Sequence, residues 1–234
     1  MLSAIRSKKV IRDRIKHFRQ SILESRAYYP KNISKFIFLC GANKNKDSIS
    51  ERRRALLEFS KKQLPHTQFF LAEKMFLALQ QEGHKGNILD IEHEITKFAD
   101  KIIIVLESNS SFAELGAFSH TELREKLIVI NNSKFQHSES FINLGPINAI
   151  KEKAGVGNII HYKMSEEGIH KMDAIGDTFA PLFDLLKTPL KGKSSPVKLE
   201  ECNPATNFDK YSVMFVHDLV YIGGPLAHQE LRNL

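Results

Sequence analysis

The stretch "ESNSSFAELGAFSHTELREKLIVI", residues 107–130, sets one carboxylate, Glu114, among serines, alanines and a glycine just after the apolar run "KIIIVL". A carboxylate so placed can act as a nucleophile or as an electrostatic stabiliser of a developing cation. The same residues support a second reading. Ser111-Phe112-Ala113-Glu114 fits S-x-x-E, the capping box in which the serine caps a helix and the glutamate reaches back to the serine N–H. Gly116 and Ala117 put small side chains beside Glu114, which suits close packing of helix on strand or room for a ligand. Glu107, at the end of the apolar run, is the nearest competing carboxylate.

The elements that must carry these residues are legible as alternating patterns. Short continuous apolar runs, "KFIFLC" (35–40), "TQFFLA" (67–72), "KIIIVL" (101–106), "KLIVI" (126–130) and "NIIHY" (158–162), predict strands buried on both faces. Helical stretches lie between them: "SISERRRALLEFSKKQL", "AEKMFLALQQ", "NILDIEHEITKFAD", "SFAELGAFSHTELRE" and "SFINLGPINAIKEK". Strands alternating with helices imply right-handed βαβ units, and so an α/β fold with a Rossmann-like parallel sheet flanked by helices. Helical N-terminal and C-terminal extensions complete the expectation. Ligands of such sheets bind beyond the carboxyl ends of the strands. Two segments should arrive there: "FLCGAN", with Cys40 and Gly41, and the loop after "KIIIVL", with Ser108, Ser110 and Ser111 and then Glu114 in the first helical turn. The expected divisions are 1–34, a basic amphipathic helix; 35–165, the α/β domain; 166–209, a helical segment and Pro/Ser/Lys-rich linker; and 210–234, the opening of a further helical module.

Charge is concentrated at one end. Residues 1–35 hold ten Lys/Arg against Asp13 and Glu24, whereas the remaining residues hold 24 against 25 acidic ones. In "AIRSKKVIRDRIKHFRQSILESRAYYP" apolar residues recur at helical spacing, with Arg12, Arg14, Lys16 and Arg19 on other faces and Lys8 and Lys9, with Arg12, Lys16 and Arg19, as candidates for binding nucleic acid or a partner. Such a helix can pack on the main body, neutralise phosphates of a nucleic-acid backbone, or lie on a membrane surface. Of the 234 residues 42% are apolar and 26% charged, and no apolar stretch nears the roughly 20 residues that a spanning helix needs. Nothing marks the N-terminus for export, so the cytoplasm is the expected compartment. Cys40 and Cys202 lack a second Cys or His at metal spacing, and the ten histidines form no ligand pattern. No metal is assigned, and Cys40 is expected as a thiol buried in a strand.

"SSFAELGAF" after an apolar strand, followed by "REKLIVI", resembles the nucleoside 2-deoxyribosyltransferase superfamily. "IFLCGA", "SFAELGAFS", "KLIVI" and "SFINLGPINAI", in that order over about residues 35–162, are similar to retron-associated effectors that carry such a domain. That resemblance implies a toxic effector of anti-phage defence, cleaving the N-glycosidic bond of NAD as substrate, with no cofactor. It implies association with a retron reverse transcriptase, with multicopy single-stranded DNA and its RNA, and with further copies of the chain. It also implies a winged-helix DNA-binding module, of which residues from Lys210 onward resemble the opening, with more chain beyond Leu234 needed to complete it.

Under this resemblance Glu114 is the nucleophile or stabiliser of an oxocarbenium-like sugar. A helix N-terminus would favour its ionised form by about 0.3–1 kcal/mol. The family's usual aspartate six residues earlier is here Ser108, which moves the expected substrate from deoxynucleosides towards NAD, whose nicotinamide leaves without protonation. Asn143 matches a sugar-contacting asparagine supplied by a neighbouring subunit, or else serves its own loop. Asp90 and Glu92 are sugar- or base-binding candidates or solvated helix charges. Of Arg52, Arg53 and Arg54, one, Arg53 foremost, is a phosphate-binding candidate and two a solvated run. Gly41, Cys40, Ser108 and Ser111 complete the expected pocket. A deoxyribosyltransferase or hydrolase acting on nucleosides or nucleotides, and a non-catalytic nucleic-acid adaptor, are the alternatives.

Overall fold

A computed structural model of the chain describes residues 9–25, 27–28, 34–45, 48–71, 73–74, 77, 81, 87, 96, 99–119, 122–166, 173–190, 197–198 and 209–223. Its contacts divide it into two compact units, one joining Met1–Ile33 to Lys191–Leu234 and the other spanning Ser34–Leu190. In the first unit helix α1 (Lys9–Ser25) packs with helix α6 (Lys210–Gly223), and β1 (Ala27–Tyr28) pairs antiparallel with β9 (Val197–Lys198). The predicted N-terminal helix is present. Lys9, Lys16 and Arg19 are exposed along it, and Ile22 is buried. Lys8 and the side chain of Arg12 lie outside the described residues. The stretch read as a linker contributes β9.

The second unit is built on a five-stranded parallel sheet of β2 (Lys35–Cys40), β5 (Thr67–Leu71), β6 (Lys101–Val105), β7 (Leu127–Asn132) and β8 (Ile159–Tyr162). Their spatial order is β5-β2-β6-β7-β8, all parallel. Every strand falls within two residues of its predicted run. Ile37–Cys40, Ile102–Val105 and Leu127–Ile130 are fully enclosed, as helices on both faces require. Alternation sorts their side chains. Phe38, Cys40, Ile102, Ile104, Leu127 and Val129 enter one core, whereas Ile37, Leu39, Ile103, Val105, Ile128 and Ile130 enter the other.

Each face is covered by helices whose apolar residues recur at helical spacing. On the first lie α3 (Asn109–Ser119), through Leu115 and Phe118, and α4 (Asn148–Ala154), through Ile150, the latter continuing a wider turn at Asn143–Ile147. On the second lie α2 (Glu51–Gln63), through Leu56, and α5 (Phe179–Leu186), through Leu182 and Leu186. Phe59 of α2 stacks on Phe179 of α5 with centroids 4.6 Å apart. A short antiparallel pair, β3 (Asn43–Asn45) and β4 (Ser48–Ile49), links β2 to α2. Among the described residues no helix is long and apolar enough to cross a membrane. Asp90 and Glu92, with most of the helical stretches predicted over 72–81 and 87–100, lie outside the described residues.

In sequence order the strand arrangement is 2-1-3-4-5, so the chain reverses its direction of winding between β2 and β6. At such a switch point the loops that leave the ends of two neighbouring strands run in opposite directions, which is where open parallel sheets bind ligands in a crevice. Gly41 follows one of these ends, and Leu106, Glu107 and Ser108 follow the other.

On β8, His161 pairs in register with Asn131, and its Nε2 is buried. Burial, reinforced by the positive charges of Lys151 and His137, lowers its pKa below the ordinary histidine value. The unfolded chain therefore takes up this proton at higher pH than the folded one, and stability falls as pH drops through the ordinary histidine range. Between about pH 7.5 and pH 5.5, His161→Gln should lose less in melting temperature than the wild-type chain, as thermal unfolding at the two pH values will show.

Candidate active site

At the open end of the sheet the chain must turn sharply out of β2. Gly41 has φ +151°, and a Cβ there would stand 3.0 Å from Arg53 Cδ and 3.1 Å from Glu107 Oε1. Only glycine lets the backbone pass this close to two side chains. Ser50 then caps α2, its Oγ accepting from the Arg53 N–H at 3.1 Å and donating to Glu107 Oε1 at 2.5 Å.

Glu107 gathers these segments. Its side chain is 2% exposed; Oε1 also accepts from the Ala42 N–H at 3.1 Å, and Oε2 accepts from Arg52 Nη1 at 3.1 Å. Arg52 extends on to Asp173, donating through Nε at 3.0 Å and Nη2 at 2.8 Å, and to the Ser165 carbonyl. Asp173 is wholly enclosed and accepts from the N–H groups of Ser165 and Ile175. Burial opposes the charge on Arg52, but hydrogen bonds to Asp173 and Glu107 and electrostatic attraction to Tyr162 and Asp173 outweigh it, and its pKa lies above the ordinary value. Burial is also the largest of the effects that raise the pKa of the nearby Tyr162 hydroxyl.

The main chain of Glu107 leads directly into α3. The cap of that helix is built by two serines: Ser108 Oγ accepts from the Ser111 N–H at 3.3 Å, and Ser111 Oγ accepts in return from the Ser108 N–H at 3.1 Å. Ser111 Oγ also accepts from the Glu107 N–H at 3.2 Å and donates to the Ser108 carbonyl at 2.7 Å. The reciprocal box is therefore complete one turn earlier than S-x-x-E predicts, with serine in the place of glutamate. Glu114 falls in the second turn rather than the first, and the helix-dipole contribution expected for it fades at that distance.

Glu114 sits beside the buried stripe of Ser111, Leu115 and Phe118. It is half-buried, with Oε2 shielded from solvent, and its helical neighbours Ala113, Gly116 and Ala117 are exposed. A Cβ on Gly116 would meet nothing within 4 Å, so close helix-on-strand packing does not account for this glycine. Helical Cα–Cβ bonds tilt towards the helix N-terminus, which in α3 is the end that follows β6.

Residues 48–234 match the family described as STM3845 retron effector protein. Over 223 residues the chain is 47% identical to an Escherichia coli protein named "Retron Ec73 putative ribosyltransferase/DNA-binding protein", a match covering 93% of this chain and 71% of the relative. Over 127 residues it is 38% identical to "Retron Ec86 putative ribosyltransferase/DNA-binding protein", also of Escherichia coli, covering 53% of this chain and 40% of that relative. The chain belongs to the retron effector family. It spans less than half the length of the second of these relatives.

The other predicted site residues of this retron effector have definite places. Arg53, the phosphate-binding candidate, is 1% exposed; it grips Glu73 with Nη1 at 2.8 Å and Nη2 at 2.9 Å, and donates to the Leu39 carbonyl and Asn43 Oδ1. Its guanidinium is thus committed to a carboxylate of its own chain. Arg52 is buried as well, so only Arg54 matches the solvated run expected for two of the three. Cys40 is the buried thiol expected, 1% exposed, and its side chain lies in the apolar core rather than along the crevice. Asn143 Nδ2 donates to the carbonyls of Phe135 and Ser138, both at 2.7 Å, so its amide holds its own loop together. Ser50, Glu73, Asp173 and Tyr162 escaped the sequence reading. Of these only Ser50, preceding the run "ERRR" at a helix start, carried a local signal; Asp173 reaches Arg52 from 121 residues away.

The two glycines give opposite expectations. Gly41→Ala should cost about 1–3 kcal/mol through backbone strain and the clash with Arg53 and Glu107. Gly116→Ala should raise stability by about 0.5–1 kcal/mol, since helix propensity improves and nothing is displaced. Urea unfolding of both variants checks the pair of signs.

Proposed function

We propose that this retron effector is an N-glycosidase with a nucleoside deoxyribosyltransferase-like domain, cleaving NAD and water to nicotinamide, ADP-ribose and a proton. The observation that carries the reading is that the reciprocal cap of α3 is formed by Ser108 and Ser111, with Glu114 half-buried one turn further along the helix beside Gly116. Glu107, its rival, has oxygen lone pairs engaged by Ala42, Ser50 and Arg52, which unfits it for attack.

In the reaction a Glu114 oxygen bonds to the anomeric carbon of the nicotinamide-bearing ribose, or stabilises it as it turns cationic. The C–N bond breaks and its electron pair neutralises the pyridinium nitrogen, so the leaving group needs no proton. Water then attacks the same carbon, releases the carboxylate and gives up a proton. Thymine or a purine would leave less readily. The position six residues before Glu114 is Ser108, whose hydroxyl is occupied in the helix cap, so no acid or orienting carboxylate stands there. This favours NAD over deoxynucleosides.

The relatives are named as DNA-binding, and the exposed Lys9, Arg14, Lys16 and Arg19 of α1 suit a phosphate backbone. Retron reverse transcriptase and multicopy single-stranded DNA with its RNA are the partners in this reading. Self-association belongs to it too: Phe141 and Leu144, flanking Asn143, are 81% and 68% exposed, and paired large apolar side chains of this kind mark contact surfaces.

Purified protein, alone and with those partners, is to be incubated with NAD and with deoxynucleosides, and wild type compared with Glu114→Gln. NAD loss that falls at least about a hundredfold in the variant is expected. Equal loss in both removes Glu114 from its role, base release from deoxynucleosides alone selects the transferase reading, and salt-sensitive nucleic-acid binding without any turnover selects the adaptor. For the apolar pair, Phe141→Ser should lower the molar mass measured by light scattering at equal concentration.

A further inference from the structure

Glu107 belongs to both sides of the crevice at once. Its N–H is held by Ser111 Oγ in the turn that launches α3, while its carboxylate holds Ala42 N–H and Ser50 Oγ in the segment leaving β2. Arg52, on the other carboxylate oxygen, extends the same grip to Asp173 and Ser165, in the segment that follows β8. Glu107 thus fastens the segment leaving β2 to the start of α3 directly, and the segment following β8 through Arg52. The fit is tight, because a methyl group at Gly41 would meet Glu107 Oε1 at 3.1 Å.

We infer that Glu107 is a positioning residue, fixing the Gly41–Ala42 turn against the start of α3 so that a sugar resting on that turn presents its anomeric carbon to Glu114. The inference rests on the reading of Glu114 as the sugar-facing carboxylate, and adds a second carboxylate with a different task. Glu107 touches no substrate: each of its oxygens already accepts from the protein, and its side chain is enclosed. Its replacement therefore acts through geometry, on the step that demands alignment, more than on binding. Displacement of about 1 Å between reacting groups can cost a hundredfold in rate.

The decisive comparison is Glu107→Gln in the full chain, with initial rates of NAD cleavage normalised to the folded fraction from circular dichroism. Glutamine keeps the bulk and one acceptor, but cannot accept from Ala42, Ser50 and Arg52 together. The expected result is a kcat lowered about tenfold to a hundredfold with KM moved by less than about threefold. A purely structural role would lower the melting temperature and leave kcat per folded molecule within about twofold of wild type, and that result overturns the inference. Ser50→Gly is the milder variant if Glu107→Gln does not fold. Glycine caps a helix nearly as well as serine and removes the CH2OH group that bonds Glu107, so a lowered kcat with intact folding supports positioning, and an unchanged kcat overturns it.

If wild type leaves NAD intact, or Glu114→Gln cleaves it equally fast, the fault lies with Glu114, and amide hydrogen exchange decides the question for Glu107. Peptides covering 39–45 and 107–112 must then lose protection together in Glu107→Gln and keep it in Glu114→Gln. Loss confined to one of the two segments overturns the coupling.

Discussion

The mouth of this sheet depends on a carboxylate that has been taken out of water and given partners. Glu107 is enclosed at the strand end, and a buried carboxylate without hydrogen bonds and a nearby positive charge would destabilise the fold severely. Arg52 supplies the charge, Ala42 and Ser50 supply the donors, and Asp173 steadies the far side of the guanidinium. Deleting one member would leave the others uncompensated, at a cost of about 3–5 kcal/mol for a buried pair. The cluster is conditional on the fold, because its members come from segments that only the parallel sheet brings together.

Two consecutive arginines can serve this arrangement because adjacent residues on a helix point about 100° apart. Arg52 turns to Glu107 and Asp173, while Arg53 turns to Glu73 and to the Leu39 carbonyl at the end of β2. Charged residues that resemble a solvated run in one dimension thus become two separate internal fastenings. Both are arginines for a reason: a planar guanidinium can grip a carboxylate with two parallel N–H donors, as Arg53 does Glu73, and still donate to a carbonyl.

What the sequence made legible follows the range of the interaction. The strands were readable because isoleucine-, valine- and phenylalanine-rich runs flanked by polar turns have few other stable uses. The open end of the sheet was readable through Gly41, since a glycine after a buried strand marks a close approach of backbone. The cap of α3 was recognised in kind and misplaced by one turn: S-x-x-E is the commoner chemistry, whereas Ser108 and Ser111 complete the same reciprocal bonds with two hydroxyls. The arginine pairs were misread because Glu73 and Asp173 are distant in sequence, and no local pattern signals a partner that tertiary packing supplies. The amide of Asn143 shows the converse, since its acceptors, Phe135 and Ser138, lie within eight residues and make a loop role readable once the turn is known.

Under the proposed reaction, Glu107 and Glu114 are one chemical group given opposite tasks by their surroundings. A nucleophile towards an electron-poor sugar carbon needs an oxygen whose lone pairs are not already shared with a guanidinium, a hydroxyl and a backbone amide, because each such bond withdraws charge from the attacking atom. Glu107 has all three and little exposure. Glu114 stands on a helix whose cap is already closed, with alanine and glycine around it and open space beside Gly116. The reaction proposed for it adds a further requirement, since positive charge grows on the sugar while it is lost from the pyridinium ring. A carboxylate facing the sugar is then stabilising throughout, and no acid is needed on the opposite side. In the proposed reaction Glu107 holds the turn and Glu114 meets the sugar, a division of labour that this leaving group favours.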